Sequence, residues 1–306
     1  MPERTSTLVE VDGRRLSLSN LDKVLYPEVG FTKGHVIDYY RQVAPALLAH
    51  LCGRPLTLKR YPDGVDGQFF YEKRCPSHRP EWVDVAPIWS GSKKGNVEYC
   101  VINDLPGLVW VANLASLELH TSLSMAGPIE RPTMTVFDLD PGPPATVVEC
   151  SRIALRLHEL FEQVKLDSVA KTSGSKGLQV YVPLNTPVTY EGGTKEFALT
   201  VAQLLEKRFP DEVVSSMNKQ LRPGKVFIDW SQNDQHKTTV CVYSLRARPR
   251  PTVSTPVSWD EVAVTAESGD PGTLVFDAAD VVGRVAERGD LFAPVNELEQ
   301  SLPRLA

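Results

Sequence analysis

The sequence has no long apolar run. Its most apolar uncharged stretch, Leu105 to Leu117, covers 13 residues, short of the ~20 that a bilayer span requires. Arg4, Glu10, Asp12, Arg14 and Arg15 crowd the first 20 residues, so no signal peptide is visible there. A soluble, cytoplasmic protein without a membrane partner is expected. Cysteine is scarce too: Cys52, Cys75, Cys100, Cys150 and Cys241 are scattered, odd in number and free of any C-x-x-C pair. That pattern argues against a disulfide framework. Cys75 and His78 have ligand-like spacing, but no second pair completes a zinc site. Positive charge is not in surplus, since 33 basic and 38 acidic residues leave a net −5. A basic coat for nucleic acid is thereby excluded, though not a local basic groove. Neither G-x-G-x-x-G nor G-x-x-x-x-G-K-[ST] occurs, which removes the common dinucleotide and P-loop readings.

What remains is globular: 306 residues, 42% hydrophobic and 23% charged, enough to bury a sizeable core. Val36, Ile37, Tyr40, Val43, Ala44, Leu47, Leu48 and Leu51 form a helical stripe over 33–51, with Thr32 as N-cap and Gly53 as stop. Further helices are expected over 104–119, 146–164, 194–208 and 277–288. Strands are expected at 56–58, 133–138, 169–172, 178–182, 226–228 and 238–242, and an irregular Pro/Ser/Thr-rich loop over 249–272. Helices and strands mix without a strict βαβ rhythm, which favours a mixed α/β or α+β sheet over a Rossmann domain.

The sharpest chemical signal is Phe137-Asp138-Leu139-Asp140 at a strand end. Alternation puts Asp138 and Asp140 on one face, where two carboxylates repel unless a cation lies between them. Hard oxygen ligands of this kind suit Mg²⁺ or Mn²⁺ holding a nucleotide, while a solvated acidic pair is the plainer reading. Asp229 ends another apolar strand, and if the two strands are neighbours three carboxylates converge. Such a cluster can hold two metal ions for in-line displacement at phosphorus. The loop Ser173-Gly174-Ser175-Lys176-Gly177 combines backbone N–H groups, hydroxyls and an ammonium, the makings of a phosphate nest. Arg222, Lys225, Gln232 and Arg246 flank the same segments, and either arginine can neutralise triphosphate charge.

Taken together, these motifs resemble the polymerase domain of bacterial ligase D and its stand-alone relatives, within the archaeo-eukaryotic primase superfamily. The resemblance rests on Asp22-Lys23-Val24-Leu25-Tyr26-Pro27, Lys59-Arg60-Tyr61-Pro62, Phe69-Phe70-Tyr71-Glu72-Lys73 and Leu117-Glu118-Leu119-His120. It continues through Phe137-Asp138-Leu139-Asp140-Pro141-Gly142, Ser173-Gly174-Ser175-Lys176-Gly177-Leu178, Lys225 to Asn233 and Tyr243-Ser244-Leu245-Arg246. It implies a primase-polymerase fold with a mixed, largely antiparallel central sheet flanked by helices. One domain would span 17–292, an N-terminal part to about 125 and a catalytic part from about 126. Residues 1–16 would be a tail or strand and 293–306 a tail.

The activity implied is DNA-dependent nucleotidyl transfer, with NTPs or dNTPs added at gaps or broken ends during non-homologous end joining. Two Mn²⁺ or Mg²⁺ ions would be held by Asp138, Asp140 and Asp229. Ser173, Ser175, Lys176, Gln179, Arg222, Gln232 and Arg246 would meet the nucleotide, with His120 beside it. Lys23 and Lys33 match a pocket for the DNA 5′-phosphate, with Lys59, Arg60, Phe70 and Tyr71 on the DNA-facing side. Strand alternation makes one of Phe69 and Phe70 a core residue. A DNA ligase and end-binding repair proteins are the implied partners, and a nucleoid-associated location follows. Gln179 departs from the pattern, standing where the family usually has histidine. Two other readings are a DNA-end-binding module with impaired catalysis and a metal-dependent glycosyltransferase using D-x-D.

Overall fold

The computed structural model describes residues 6–303. Among them, no helix is long and apolar enough to cross a membrane. The chain divides into two compact units. The first runs through Thr121 and takes up Val240–Val253 and Phe276–Asp290; the second holds Ser122–Thr239, Ser254–Val275 and the chain from Leu291. A division near residue 125 does not anticipate these two returning segments.

The first unit begins with an antiparallel hairpin, β1 (Ser6–Val11) and β2 (Arg14–Ser19). Its turn is Asp12-Gly13, both at positive φ, the dipeptide that tight hairpins favour. A short pair, β3 (Val24–Tyr26) and β4 (Phe31–Thr32), leads into α1 (Lys33–Leu51). Thr32 caps α1 as its spacing predicts, accepting from the His35 N–H while the His35 ring returns a bond to the Thr32 N–H. The buried face of α1 presents Tyr39 and Tyr40, whose hydroxyls donate to the carbonyls of Tyr243 and Leu117.

A sheet follows, built from β5 (Leu56–Arg60), β6 (Phe70–Glu72), β7 (Asp84–Ser90) and β8 (Gly95–Val101). Helix α2 (Leu105–Asn113) is capped by Asp104 and stops well short of the expected 119. Ala115 at φ 56° turns the chain into β9 (Ser116–Thr121), which pairs with β5. β9 is buried on both faces except at His120, so its residues show neither the strand nor the helix period. Cys75 and Cys100 form a disulfide, a correction to the reading that their scatter suggested. Antiparallel topology brings them together: the Cys75 N–H donates to the Glu98 carbonyl, beside β8.

The second unit is a sheet with helices against it. β10 (Met134–Pro141) is its centre, followed by α3 (Val147–Gln163), β11 (Val169–Thr172), β12 (Leu178–Pro183), α4 (Lys195–Arg208), β13 (Val213–Val214) and β14 (Val226–Asp229). The strand order is β13-β14-β10-β12-β11 with Pro256–Val257 beyond, all antiparallel except β13 with β14. Phe137 of β10 packs on Phe161 of α3 at 5.2 Å and on Phe197 of α4 at 6.2 Å. That apolar face leaves Asp138 and Asp140 on the other. The expected loop over 249–272 contains a helix, α5 (Trp259–Ser268), opened by a capping box between Ser258 and Glu261. The expected C-terminal tail carries a helical turn, Pro294–Glu297, with Val295 fully buried.

Candidate functional site

In the second unit four polar residues stand in one row across four adjacent strands. Lys171 on β11 is the register partner of Gln179 on β12, Gln179 of Asp138 on β10, and Asp138 of Asp229 on β14. Directly paired residues share a face, so the row is also a hydrogen-bond relay. Lys171 Nζ donates to Gln179 Oε1 at 2.5 Å and to Ser254 Oγ at 2.7 Å, and Gln179 Nε2 donates to Asp138 Oδ1 at 3.0 Å. Lys171 and Gln179 are both buried. Since an ammonium only donates and a carboxylate only accepts, the neutral amide between them has a single consistent orientation.

Asp138 is pushed up to about 7, first by burial and then by the charges of Asp140 and Asp229; Gln179 and Lys171 oppose the rise. Three carboxylates thus crowd one face closely enough to resist ionising together. Such a set of hard oxygens fits a divalent cation, which would relieve the repulsion. It is not drawn to a point. Among the described residues no group of three or more His, Cys, Asp or Glu side chains is gathered to hold a metal ion. Asp229 is turned to its own loop, accepting from the Ser231 N–H and Oγ and, at 2.8 Å, from Gln232 Nε2. Asn233 ties that loop to β10: its Oδ1 accepts from Thr135 Oγ1 and the Val136 N–H, and its Nδ2 donates to the Val136 carbonyl.

The Ser-Gly-Ser-Lys-Gly loop joins β11 to β12 beside these carboxylates. Ser173 Oγ accepts from the N–H groups of Ser175 and Gly177, while Ser175 and Lys176 are exposed. Gly177 lies so close to β10 that a Cβ there would overlap the Leu139 carbonyl oxygen. Arg222 packs its guanidinium 3.6 Å above the Phe227 ring and donates to the Met217 carbonyl. The structure therefore brings Asp138, Asp140, Asp229, Gln179 and Gln232 together, with the loop alongside. Lys171 belongs to the same group and has no signal of its own in Val-Ala-Lys-Thr.

The first unit holds a second polar cluster. Lys59 on β5 is the register partner of Glu118 on β9, and Tyr71 on β6 is that of Lys59. The Glu118 carboxylate is almost wholly buried and gathers Lys59 Nζ at 3.3 Å, His120 Nε2 at 2.9 Å, Arg246 Nε at 3.4 Å and the Ala247 N–H at 3.2 Å. Burial alone would raise its pKa. The His120 bond and the charges of Arg246 and Lys59 hold it well below the usual carboxylate range.

Lys59 also lies over the rings of Phe69 and Tyr61, at 4.6 and 5.2 Å. Phe69 is 51% and Phe70 46% exposed, so neither is core, a correction to the alternation argument. β6 is a three-residue strand paired with β5, and its Phe70 and Tyr71 are exposed. Arg60 is held by Glu72 at 2.9 Å. Lys23 and Lys33 are joined through the Lys33 N–H and the Lys23 carbonyl. Their side chains are engaged, Lys23 with Asp63 and the buried Lys33 with the Ser19 carbonyl and hydroxyl.

The family model "LigD, primase-polymerase domain" matches residues 32–292. The chain is 43% identical over 287 residues to the multifunctional non-homologous end joining protein LigD of Mycolicibacterium smegmatis, covering 92% of this chain and 36% of that protein. It is 30% identical over 276 residues to the bifunctional non-homologous end joining protein LigD of Bacillus subtilis, covering 90% of this chain and 43% of that one. The chain thus spans well under half the length of these relatives. Among solved structures, the polymerase domain from Mycobacterium tuberculosis ligase D in complex with DNA is similar with TM-score 0.86 and 40% identity. That match covers 94% of this chain and 99% of the other.

Proposed function

Because the chain belongs to the LigD primase-polymerase family, matched over residues 32–292, we propose that it adds nucleotides to DNA 3′ ends at gaps or breaks during end joining. The observation that carries this reading is the row Lys171-Gln179-Asp138-Asp229, which sets a carboxylate pair and its supports across one sheet. Asp138, Asp140 and Asp229 would hold two divalent cations, Mn²⁺ or Mg²⁺, which supply activation of a 3′-hydroxyl and charge neutralisation at the leaving pyrophosphate. The new bond joins the 3′-oxygen to the α-phosphorus, and the bond from that phosphorus to pyrophosphate breaks. Ser173, Ser175 and Lys176 cradle the triphosphate with N–H, O–H and ammonium donors. Arg222 supplies further charge. The family match supports polymerase chemistry over the glycosyltransferase reading of D-x-D. Release of one pyrophosphate per nucleotide added to a primer tests the proposal.

Gln179 supports Asp138 rather than meeting the nucleotide, since both ends of its amide are taken up by the relay. Gln179→Leu removes the relay at similar volume. It should raise the Mn²⁺ concentration for half-maximal activity ~10-fold, as loss of an outer-shell partner of a metal ligand does. A neutral imidazole can accept from Lys171 and donate to Asp138, so Gln179→His should stay near the unsubstituted protein. Metal titrations of the two variants that coincide would remove Gln179 from this role.

We further propose that the Lys23–Lys33 region captures the 5′-phosphate across a gap, with Phe70 and Tyr71 stacking on the DNA. Gapped DNA bearing that phosphate should bind more tightly than its 5′-hydroxyl counterpart, and the preference should shrink with salt. A net charge of −5 gives no general attraction that could mimic it. Equal affinity for both DNAs at low salt would exclude the pocket.

A further inference from the structure

Lys171 is 1% exposed, the most deeply buried lysine among the described residues. Burying an ammonium is costly, and an apolar side chain of similar length would be cheaper there. Its Nζ is shared between acceptors on the two neighbours of β11. On one side it donates to Gln179 Oε1 of β12 at 2.5 Å, and Gln179 Nε2 donates on to Asp138 Oδ1. On the other it donates at 2.7 Å to Ser254 Oγ, in the segment that leads into Pro256–Val257. The second arm has a fixed direction as well. The Ser254 hydroxyl gives its one proton to the Thr172 carbonyl at 2.9 Å, so its oxygen is left to accept from Lys171.

Both arms end on the site. Asp138 is a proposed metal ligand. Thr172 is the last residue of β11, directly before Ser173, whose hydroxyl gathers the N–H groups of Ser175 and Gly177 in the phosphate loop. Thr255 clamps the same point: its carbonyl accepts from the Thr172 N–H at 2.8 Å, and its N–H donates to Thr172 Oγ1 at 3.0 Å.

We propose that Lys171 is a positioning residue shared by both halves of the site, orienting Asp138 through Gln179 and fixing the start of the Ser-Gly-Ser-Lys-Gly loop through Ser254. The role rests on the proposed nucleotidyl transfer and deepens it. An ammonium has donors for both arms, whereas a hydroxyl has one. Without that donor the Gln179 amide is free to turn its oxygen toward Asp138, and Ser254 loses the contact that holds its hydroxyl over Thr172. Every residue of the relay belongs to the second unit.

The test compares the whole chain with Lys171→Met, Ser254→Ala and Gln179→Leu. Mn²⁺ affinity is read from the paramagnetic resonance signal of the free ion, with neither DNA nor nucleotide present. ATP affinity is read at saturating Mg²⁺ on gapped DNA whose primer ends in a dideoxynucleotide, so that no addition occurs. Lys171→Met should bind Mn²⁺ about 10-fold more weakly, as loss of an outer-shell support does. It should bind ATP about 5-fold more weakly, the size of one hydrogen bond. Its denaturant midpoint should hold or rise, because a buried charge has been removed. Ser254→Ala cuts one arm and should weaken ATP alone. Gln179→Leu cuts the other and should weaken Mn²⁺ alone.

A lysine with only a structural role would shift the unfolding midpoint and neither affinity, and that result in Lys171→Met overturns the inference. A loss confined to one of the two ligands overturns it as well, since one arm would then do nothing. If Lys171→Met does not fold, Ser254→Ala decides, and unaltered ATP affinity there has the same force. An unsubstituted protein that binds neither Mn²⁺ nor ATP would instead defeat the proposed nucleotidyl transfer, and this role with it.

Discussion

Asp138→Ala should reduce nucleotide addition by at least ~10³-fold, about 4 kcal/mol of barrier at 1.4 kcal/mol per factor of ten, while binding to gapped DNA stays nearly intact. Asp138 is the junction of the row: it is hydrogen-bonded to Gln179 on one strand and faces Asp229 on the next. Removing it takes away a ligand and leaves the Gln179 amide and the buried Lys171 without their anion. Asp140→Ala should have a similar effect on rate. Because Asp140 is exposed and relieves Asp138 of a neighbouring charge when it goes, its variant should fold at least as stably. Lys23 and Lys33 belong to the other compact unit, which is why DNA binding should survive both changes. Primer extension and a gapped-DNA titration on the same preparations check this. Both variants extending at the unsubstituted rate would withdraw the metal-ligand assignment.

Gly177→Ala should be a severely damaging methyl group in the second unit, where only a Cβ at Gly142 would meet backbone as closely among the described glycines. A Cβ at residue 177 has no room, because the Leu139 carbonyl of β10 occupies its place. Backbone cannot rotate away as a flexible side chain can, so the loop must lift from the strand. Overpacking of this kind costs about 3 kcal/mol. A loop displaced by ~1 Å should slow addition by ~100-fold in the protein that still folds. The neighbouring Ser175→Ala provides the contrast: Ser175 is exposed and its change should leave stability unaltered. Denaturant unfolding separates the two. Unchanged stability in Gly177→Ala would mean that the loop does not rest on β10.

The carboxylates were legible because their chemistry follows the strand period: Phe137 and Leu139 turn to the core, and Asp138 and Asp140 to the other face. Their supports were not. Lys171 and Gln179 join Asp138 only through the register of four strands, three of them distant in sequence, and a lone lysine in a four-residue strand carries no mark of burial. Glu118 was hidden differently. The uncharged run from Leu105 extends into β9, and a strand covered on both faces shows no alternation, so the pattern reads as one helix to 119. Ala115 at positive φ ends it, a conformation that alanine does not announce.

By contrast α5 was readable and missed, since Ser258 and Glu261 have capping-box spacing inside a stretch that proline and serine made look irregular. The Cys75–Cys100 bond and the exposed Phe69 share one cause. Pairing along β5, β6 and β8 decides which residues meet and which remain outside.

Template-directed addition on a gapped duplex with a 5′-phosphate tests the central claim most directly. The substrate carries each of the four bases in turn opposite the gap, and Mn²⁺ is supplied with all four nucleotides, ribo and deoxy. The account predicts a primer longer by one residue complementary to the template base, with pyrophosphate released, and no product when the metal is chelated. A protein that binds the phosphorylated gap yet adds no residue from any nucleotide, in Mn²⁺ or Mg²⁺, would contradict it and leave a DNA-end-binding module.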